Sequence, residues 1–355
     1  MRGCHAILWS AAHPMNESAV REYLVCPACR QGSFDVAAFE RDGDEIVHGV
    51  LRCGGCRAWY RVEDRLPVLV LPALRDPGRE RGFAARFRAR WEGWDEPVSG
   101  PADAGAALKL EQIAFFRAQA PRYDRRILDS SFWNAFDLLF LDAVRRESGR
   151  RGVLVEIGAG TGRFTSALRR DFDTVIHADL SEEMVREAMG KAAPRTPGPG
   201  RVIHLVADAE RLPLRDGAAD CALFSGVLSY LPSPAVAIGE AARVLAGGGC
   251  LVGQENNRSA FRPLFDLLMA FRKSWVAKSC PARAVLSRRE LRAWCRDAGV
   301  PVDMWTEVFL PPHLFNLLPP SGAVRLMRAT NALGRRLPWF WRQGGLVLFS
   351  GDRLV

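Results

Sequence analysis

Two sets of residues in the 355-residue chain have types and spacings suited to chemistry. The first is four cysteines in two pairs, Cys26-Pro-Ala-Cys29 and Cys53-Gly-Gly-Cys56, with 23 residues between the pairs. Two thiolates two residues apart sit on one tight knuckle and reach one metal; two knuckles supply four sulfurs in a tetrahedron, which suits Zn²⁺. Four protein ligands leave no open position, so the metal is expected to be structural. A redox role suits one pair but does not account for two. The second set is Val153-Leu-Val-Glu156-Ile-Gly158-Ala159-Gly160-Thr-Gly162-Arg163-Phe164. A short β-branched run, a glycine turn and a helix start let a backbone close around a nucleotide-like ligand. A dinucleotide fingerprint needs glycines at relative positions one, three and six. Position six here is Arg163, so that match fails. What stands instead is an acid followed by three glycines at alternate positions.

The elements that must position these groups are legible as alternating runs. A second strand is expected over 174–179, ending in Asp179, where an acid can accept both hydroxyls of a ribose. Ser181-Glu-Glu then starts a helix with good capping chemistry. A third strand is expected from Arg201, ending at Asp208, a fourth from Asp220 towards Ser225, and a fifth from Cys250 to Glu255. Helices are expected over 235–245 and 287–298, the latter opening with the capping box Ser287-x-x-Glu290. Strands over 302–309 and 345–351 close the series. Between 106 and 148 two helices are expected, broken near Pro121. His204, mid-strand, reads as a core histidine.

From Val153 to Glu255 these elements resemble, in order and spacing, the class I S-adenosylmethionine (SAM) methyltransferases. The resemblance implies an α/β fold with a doubly wound, seven-stranded, mostly parallel sheet. It implies that the loop of Gly158, Ala159, Gly160 and Gly162 passes under the methionine part of SAM and that Glu156 anchors its polar end. It further implies Asp179 at the ribose with Leu180 and Met184 beside it, Asp208 and Ala209 at the adenine edge, and Ser225 among the cofactor contacts. Tyr123, in Gln119-Ala-Pro-Arg-Tyr123-Asp124, resembles the aromatic that lies over the cofactor; a packing role is as open. The loop after the fourth strand lacks Asn/Asp-Pro-Pro-Tyr/Phe and lacks Pro-Cys, which disfavours methylation of an adenine amino nitrogen or of cytosine C5. It resembles the broad group that methylates small molecules, quinones and lipids. Glu255 and His313 are the candidate catalytic groups, with His313 equally readable as a packed loop histidine.

The sequence around the cysteines, Tyr23-Leu-Val before the first pair and Trp59-Tyr60-Arg61-Val-Glu-Asp64-Arg65-Leu-Pro67 after the second, resembles the small zinc-ribbon family whose free-standing members activate tRNA and protein methyltransferases. Arg61 stands where that family has proline and Arg65 where it has glycine, so the turn before Leu66 is expected to differ. A fused ribbon also occurs in ribosomal RNA guanine methyltransferases.

Net charge is +9 but uneven: residues 258–355 hold 16 Lys and Arg against 6 Asp and Glu, leaving 33 against 34 in residues 1–257. Five of the ten tryptophans, Trp275, Trp294, Trp305, Trp339 and Trp341, lie in that basic quarter. Arginines beside tryptophans make a surface for an anionic, partly apolar partner; a lid with solvated arginines is the alternative. Nine cysteines, an odd number, argue against a disulfide framework. No apolar run reaches the roughly 18 residues of a membrane span, and the first residues carry no plausible signal peptide, so a cytoplasmic protein is expected, with peripheral membrane contact through the basic cap. The expected organisation is a flexible arm over 1–20, a zinc ribbon over 21–72, a linker over 73–104 and a SAM methyltransferase domain over 105–355, with a substrate cap at about 256–345. The function expected is methylation of a small-molecule, glycan or lipid-linked, anionic intermediate. The alternatives are RNA methylation using the ribbon, and a non-catalytic SAM-binding module.

Overall fold

The computed structural model describes residues 15–95, 103, 105–191, 200–258, 286–337 and 340–354. Residues 1–14 of the expected arm, most of the 96–104 stretch, the cap segment 259–285 with Trp275, and Trp339 lie outside the described residues.

Helix α1 (Glu17–Tyr23), capped by the Asn16 side chain on the Ala19 amide at 2.9 Å, leads into the first knuckle. Strands β1 (Phe34–Asp42), β2 (Glu45–Cys53), β3 (Trp59–Glu63) and β4 (Leu66–Leu69) follow as an antiparallel meander. Helix α2 (Pro77–Arg86) comes next, then α3 (Ala106–Leu128) and α4 (Ser131–Glu147). The glycine run emerges from β5 (Val153–Ile157) and enters the short α5 (Thr165–Leu168). Then come β6 (Thr174–Asp179), α6 (Glu182–Lys191), β7 (Arg201–Ala207), β8 (Ala219–Ser225), α7 (Pro234–Val244) and β9 (Leu245–Asn256). After residue 286 follow α8 (Arg288–Asp297), β10 (Asp303–Glu307), α9 (Pro312–Phe315), α10 (Pro320–Arg336) and β11 (Leu346–Asp352).

The strands form one sheet in the order β1-β2-β3-β4-β7-β6-β5-β8-β9-β11-β10. The expected seven strands are β5 to β11. The five from β5 to β9 are mutually parallel, and β11 runs antiparallel between β9 and β10. This is the class I methyltransferase arrangement, α/β and Rossmann-like. Alternate residues of each strand face opposite layers, as the pleat requires. Leu154, Val175, Leu223, Val252 and Leu348 pack on α4 and α10. Val155, Ile157, Ile176, Ala222 and Phe224 face α7 and α8.

The ribbon differs from its expected form as a separate body. Strand β4 pairs parallel with β7, Val68 opposite Val206 and Leu69 opposite Ala207, so the ribbon extends the large sheet. Met15, Ala19 and Val20 are buried in the same core as the parallel strands, so the flexible arm does not reach residue 20. The stretch read as a linker holds α2, whose Phe83, with Phe87, packs on Phe39. Pro121 does not break α3; it lies on the exposed side, where the lost N–H and the local bend cost no packing. The break falls at Asp129 and Ser130, and Ser130 caps α4 by accepting from the Trp133 amide at 3.3 Å. Asp64 and Arg65 both have positive φ, 51° and 67°, the pairing a tight I′ hairpin turn demands. Arg65 replaces glycine in that conformation and is held by Glu45 at 2.9 Å and Asp42 at 2.5 Å.

Candidate cofactor crevice and metal centre

The glycine loop sits where β5 ends, at the carboxyl edge of the parallel strands. Gly158, Gly160 and Gly162 have φ of 68°, 58° and 74°, the left-handed region that only glycine enters freely. A Cβ on Gly158 would meet Val227 at 2.4 Å, whereas a Cβ on Gly160 would project into open space. That open side is the cradle a ligand would share with the backbone. The amides of Gly158 and Ala159 donate to the Ala178 carbonyl at 2.8 and 3.0 Å, which ties the loop to β6.

Asp179, at the end of β6, faces the loop. Its carboxylate accepts from the Gly160 amide at 2.8 Å and from the Ser181 amide at 2.8 Å. Burial raises its pKa, and these amides oppose the shift. Glu156 lies inside the sheet at 1% exposure and accepts from the Thr165 hydroxyl at 2.5 Å. Burial pushes its carboxyl up to about 7. Asp208 directly follows β7, and its bond is one the sequence did not announce: the Lys109 ammonium, buried on α3, donates to it at 2.7 Å. The same ammonium meets Glu210 at 2.8 Å and Asp103 at 3.0 Å. Lys109 was missed because nothing in its own neighbourhood marks it; only the crossing of α3 over the sheet brings it there.

Tyr123 is half-buried on α3. Its neighbour Asp124 accepts from the Thr161 hydroxyl at 2.6 Å and pairs with Lys191, so this part of α3 lies against the glycine loop. Leu180 is half-buried, Met184 and Ala209 are buried, and Ser225 accepts from the Gln254 amide nitrogen at 3.1 Å. The residues named for SAM thus stand on α3, on α6, near the carboxyl ends of β5, β6 and β8, and on the segments that follow β5, β6 and β7. Glu255 is fully buried near the end of β9, and its carboxylate accepts from the Leu228 amide at 2.6 Å, anchoring the loop after β8. His313 is half-buried on α9, which packs on α4 through the ring contact of Phe315 with Phe132.

The four cysteines converge as their spacing requires. Their sulfurs all lie within 4.8 Å of one another, with Cys26 to Cys56 at 3.6 Å and Cys29 to Cys53 at 3.4 Å. Sulfurs about 2.3 Å from a tetrahedral zinc would stand about 3.8 Å apart, so the donor set fits a structural Zn²⁺. Arg30 and Arg57, each following a knuckle, take positive φ of 66° and 64° to close it. The Tyr60 hydroxyl lies 3.1 Å from the Cys26 sulfur.

Residues 155–253 match the family described as "Methyltransferase domain", and residues 21–64 match "Trm112p-like protein". Residues 153–256 therefore carry a methyltransferase domain of class I fold, and a Trm112p-like ribbon is built into the same sheet. An uncharacterized 37.1 kDa protein from a Streptomyces fradiae transposon is 35% identical over 187 residues, 52% of this chain and 51% of that protein. The malonyl-[acyl-carrier protein] O-methyltransferase of Methylococcus capsulatus is 30% identical over 185 residues, 52% of this chain and 62% of that enzyme. The demethylmenaquinone methyltransferase of Beutenbergia cavernae is 36% identical over 132 residues, 37% of this chain and 50% of that enzyme. The chain spans about half the length of the curated relatives it matches. Among the described residues no helix is long and apolar enough to cross a membrane.

Proposed function

We propose that the protein transfers a methyl group from SAM to an anionic small-molecule, glycan or lipid-linked intermediate. One observation carries the reading: Asp179 accepts from the Gly160 amide at 2.8 Å, the Cβ side of Gly160 is open, and Glu156 lies buried on the adjacent strand. Bound SAM supplies an electrophilic methyl on a sulfonium, so the protein's task is alignment and exclusion of water. In this reading Asp179 takes the ribose hydroxyls, Glu156 faces the cationic amino-acid end, and Asp208 with Ala209 holds the adenine edge. Tyr123 covers the crevice from α3. Leu180, Met184 and Ser225 line it. Glu255 positions the loop after β8 through the Leu228 amide, and His313 is the remaining candidate for a base near the acceptor. A zinc on Cys26, Cys29, Cys53 and Cys56 would hold the ribbon together, with no open position for a part in the transfer.

Relatives named for an acyl-carrier-linked acid and for a quinone support a small, carrier-linked or lipid-like acceptor. The Trm112p-like segment favours a second reading, an RNA or protein acceptor. Against it, the ribbon's arginines are engaged internally: Arg30 with Glu240, Arg41 with Glu17, Arg61 with Glu182 and Arg65 with Glu45. Phosphate backbones are held by arginines and lysines that are free to exchange counterions. The protein is expected to work in the cytoplasm with peripheral membrane contact through its basic C-terminal part. Mass spectrometry after incubation with SAM and a pool of small phosphorylated, carrier-linked and lipid-linked metabolites tests the reading, with a structured RNA as the parallel substrate. A mass increase of one methyl in the small-molecule pool is the expected result. Methylation confined to the RNA would overturn it.

A further inference from the structure

At the opposite end of the sheet from the ribbon, α8 and the segment before β11 enclose a cavity of about 530 Å³. Its lining is Arg288, Arg289, Arg292 and Arg296 on α8, with Trp341 and Arg342 opposite; Ala293 and Met304 complete the wall. Arg288, Arg292 and Arg296 recur at i, i+4 and i+8, so they stack on one face of the helix. Like charges at that spacing work against the helix. Of the acids nearby, Glu290 accepts from the Ser287 amide and hydroxyl and Glu307 meets Arg335 at 3.0 Å, while Asp297 pairs with one lining arginine, Arg296, at 3.2 Å. Among the described residues no carboxylate pairs with Arg288, Arg289, Arg292 or Arg342.

The opposite wall is held in place. The Asn257 side chain donates to the carbonyls of Arg342 and Gly344 at 2.9 and 2.7 Å, and the Thr306 hydroxyl donates to that of Trp341. The Trp341 ring lies under two guanidiniums, Arg288 at 5.6 Å and Arg342 at 4.8 Å from its centre. Burial, with Arg342 and Arg292 close by, holds the Arg288 pKa below its ordinary value, and no acid offsets this. The place is also suggestive. Strand β10 runs antiparallel to β11, and β11 antiparallel to β9, so β10 runs with the parallel strands. Helix α8 precedes β10 and therefore begins at the carboxyl edge, the edge that carries the glycine loop.

We propose that this cavity is the recognition site for a phosphoryl group, a phosphate monoester or diphosphate, on the methyl acceptor. Guanidinium forks match phosphate oxygens two at a time. Several arginines on two walls suit a multiply charged group better than a single carboxylate. The Trp341, Met304 and Ala293 surfaces then receive the apolar part beside the headgroup. This names the anchor for the acceptor and rests on the reading of the chain as a SAM-dependent enzyme for an anionic substrate.

The test uses the full chain and two variants, the double Arg288→Gln/Arg292→Gln on α8 and Arg342→Gln on the other wall, with SAM titrated in parallel. Inorganic pyrophosphate should bind the wild type and lose about tenfold or more in affinity in each variant, as removal of charged hydrogen bonds implies. SAM affinity should stay unchanged. Flotation with phosphatidylcholine vesicles containing phosphatidic acid separates the two sources of the group. Vesicle binding lost in the variants supports a lipid headgroup, and pyrophosphate binding without flotation supports a soluble acceptor. Equal pyrophosphate and vesicle binding in wild type and both variants overturns the site, even where SAM binds and methyl transfer is intact. Loss confined to a structured RNA overturns it as well, since the pocket would then be a nucleic-acid contact. Failure of SAM to bind any of the three proteins would strike the cofactor reading instead, with the pyrophosphate result still deciding the pocket.

Discussion

Arginine is put to opposite uses at the two ends of the sheet. At the ribbon junction Arg61 is 1% exposed yet meets three carboxylates: Glu182, Glu80 at 2.7 Å and Glu63 at 2.6 Å. Arg79 and Arg186 extend the same network to Glu183 and Asp64. At the α8 cavity Arg288 and Arg292 face one another's charge and no described acid. A buried charge persists only when it is paired and hydrogen-bonded, so the first set makes structure. The second set is more exposed and is left with capacity for an anion from outside. The same contrast separates the acids: Glu182 is held below the ordinary carboxylate range chiefly by Arg61 against its burial, while Glu156 has a hydroxyl for a partner and sits near 7.

The largest effect should come from breaking the ribbon itself. A structural zinc contributes about 10–16 kcal/mol of apparent binding free energy at neutral pH. Elemental analysis should find one zinc per chain, and Cys53→Ser should release it. Because β4 pairs with β7, the thermal transition of the methyltransferase part should fall as well. A variant that loses the metal while that transition stays put would mean the ribbon is only appended.

Next in size is the junction. Arg61→Met removes the buried guanidinium that Glu63, Glu80 and Glu182 share, leaving them only Arg75, Arg79 and Arg186, and breaking a buried pair by removing one partner costs about 3–5 kcal/mol. Urea denaturation reads the loss. Arg292→Gln on α8 serves as the counterpart and should change stability by no more than about 0.5 kcal/mol, with a gain expected because a repulsion is removed. Equal losses in the two variants would erase the distinction between structural and ligand-facing arginines.

A smaller effect follows from Glu156. Its pKa in the folded chain, about 7, lies above its ordinary value of 4.5. Between those values the folded state keeps a proton that the unfolded state has lost, so ligand-free stability falls as pH rises through this window. SAM presents a cationic end, which favours the ionised carboxylate, so SAM affinity should rise as pH passes through about 7. Calorimetric titration across that range should show the rise in the wild type and a flat profile in Glu156→Gln. A wild-type affinity that falls on the alkaline side would remove Glu156 from the cofactor's polar end.

How far the sequence led depended on whether a feature was local. The glycine loop, the acids ending β6 and β7, the cysteine knuckles and the capping box of α8 are set by neighbours a few residues apart, and each appears where its spacing predicted. The pairing of β4 with β7 joins residues 68 and 206, and no local pattern encodes that partnership. Arg61 and Arg65 looked like departures from the ribbon pattern; one is the centre of the junction, and the other closes the turn against Glu45 and Asp42. Lys109 reaches Asp208 across 99 positions, so its role was invisible in the sequence. The basic quarter stands out in the sequence by its charge balance and its five tryptophans, and the fold shows which of these, Arg288, Arg289, Arg292, Arg296, Arg342 and Trp341, line one cavity.

The account rests most on the crevice between the glycine loop and Asp179. Titration of SAM by calorimetry into the wild type, Gly160→Val and Asp179→Ala tests it directly. The wild type should bind one SAM per chain. Gly160→Val should show no binding, because its side chain fills the open cradle and its φ of 58° is strained for a β-branched residue. Asp179→Ala should bind more weakly by about 2 kcal/mol, the scale of hydrogen bonds to a charged group. Affinity unchanged in both variants would contradict the assignment of this crevice to the cofactor.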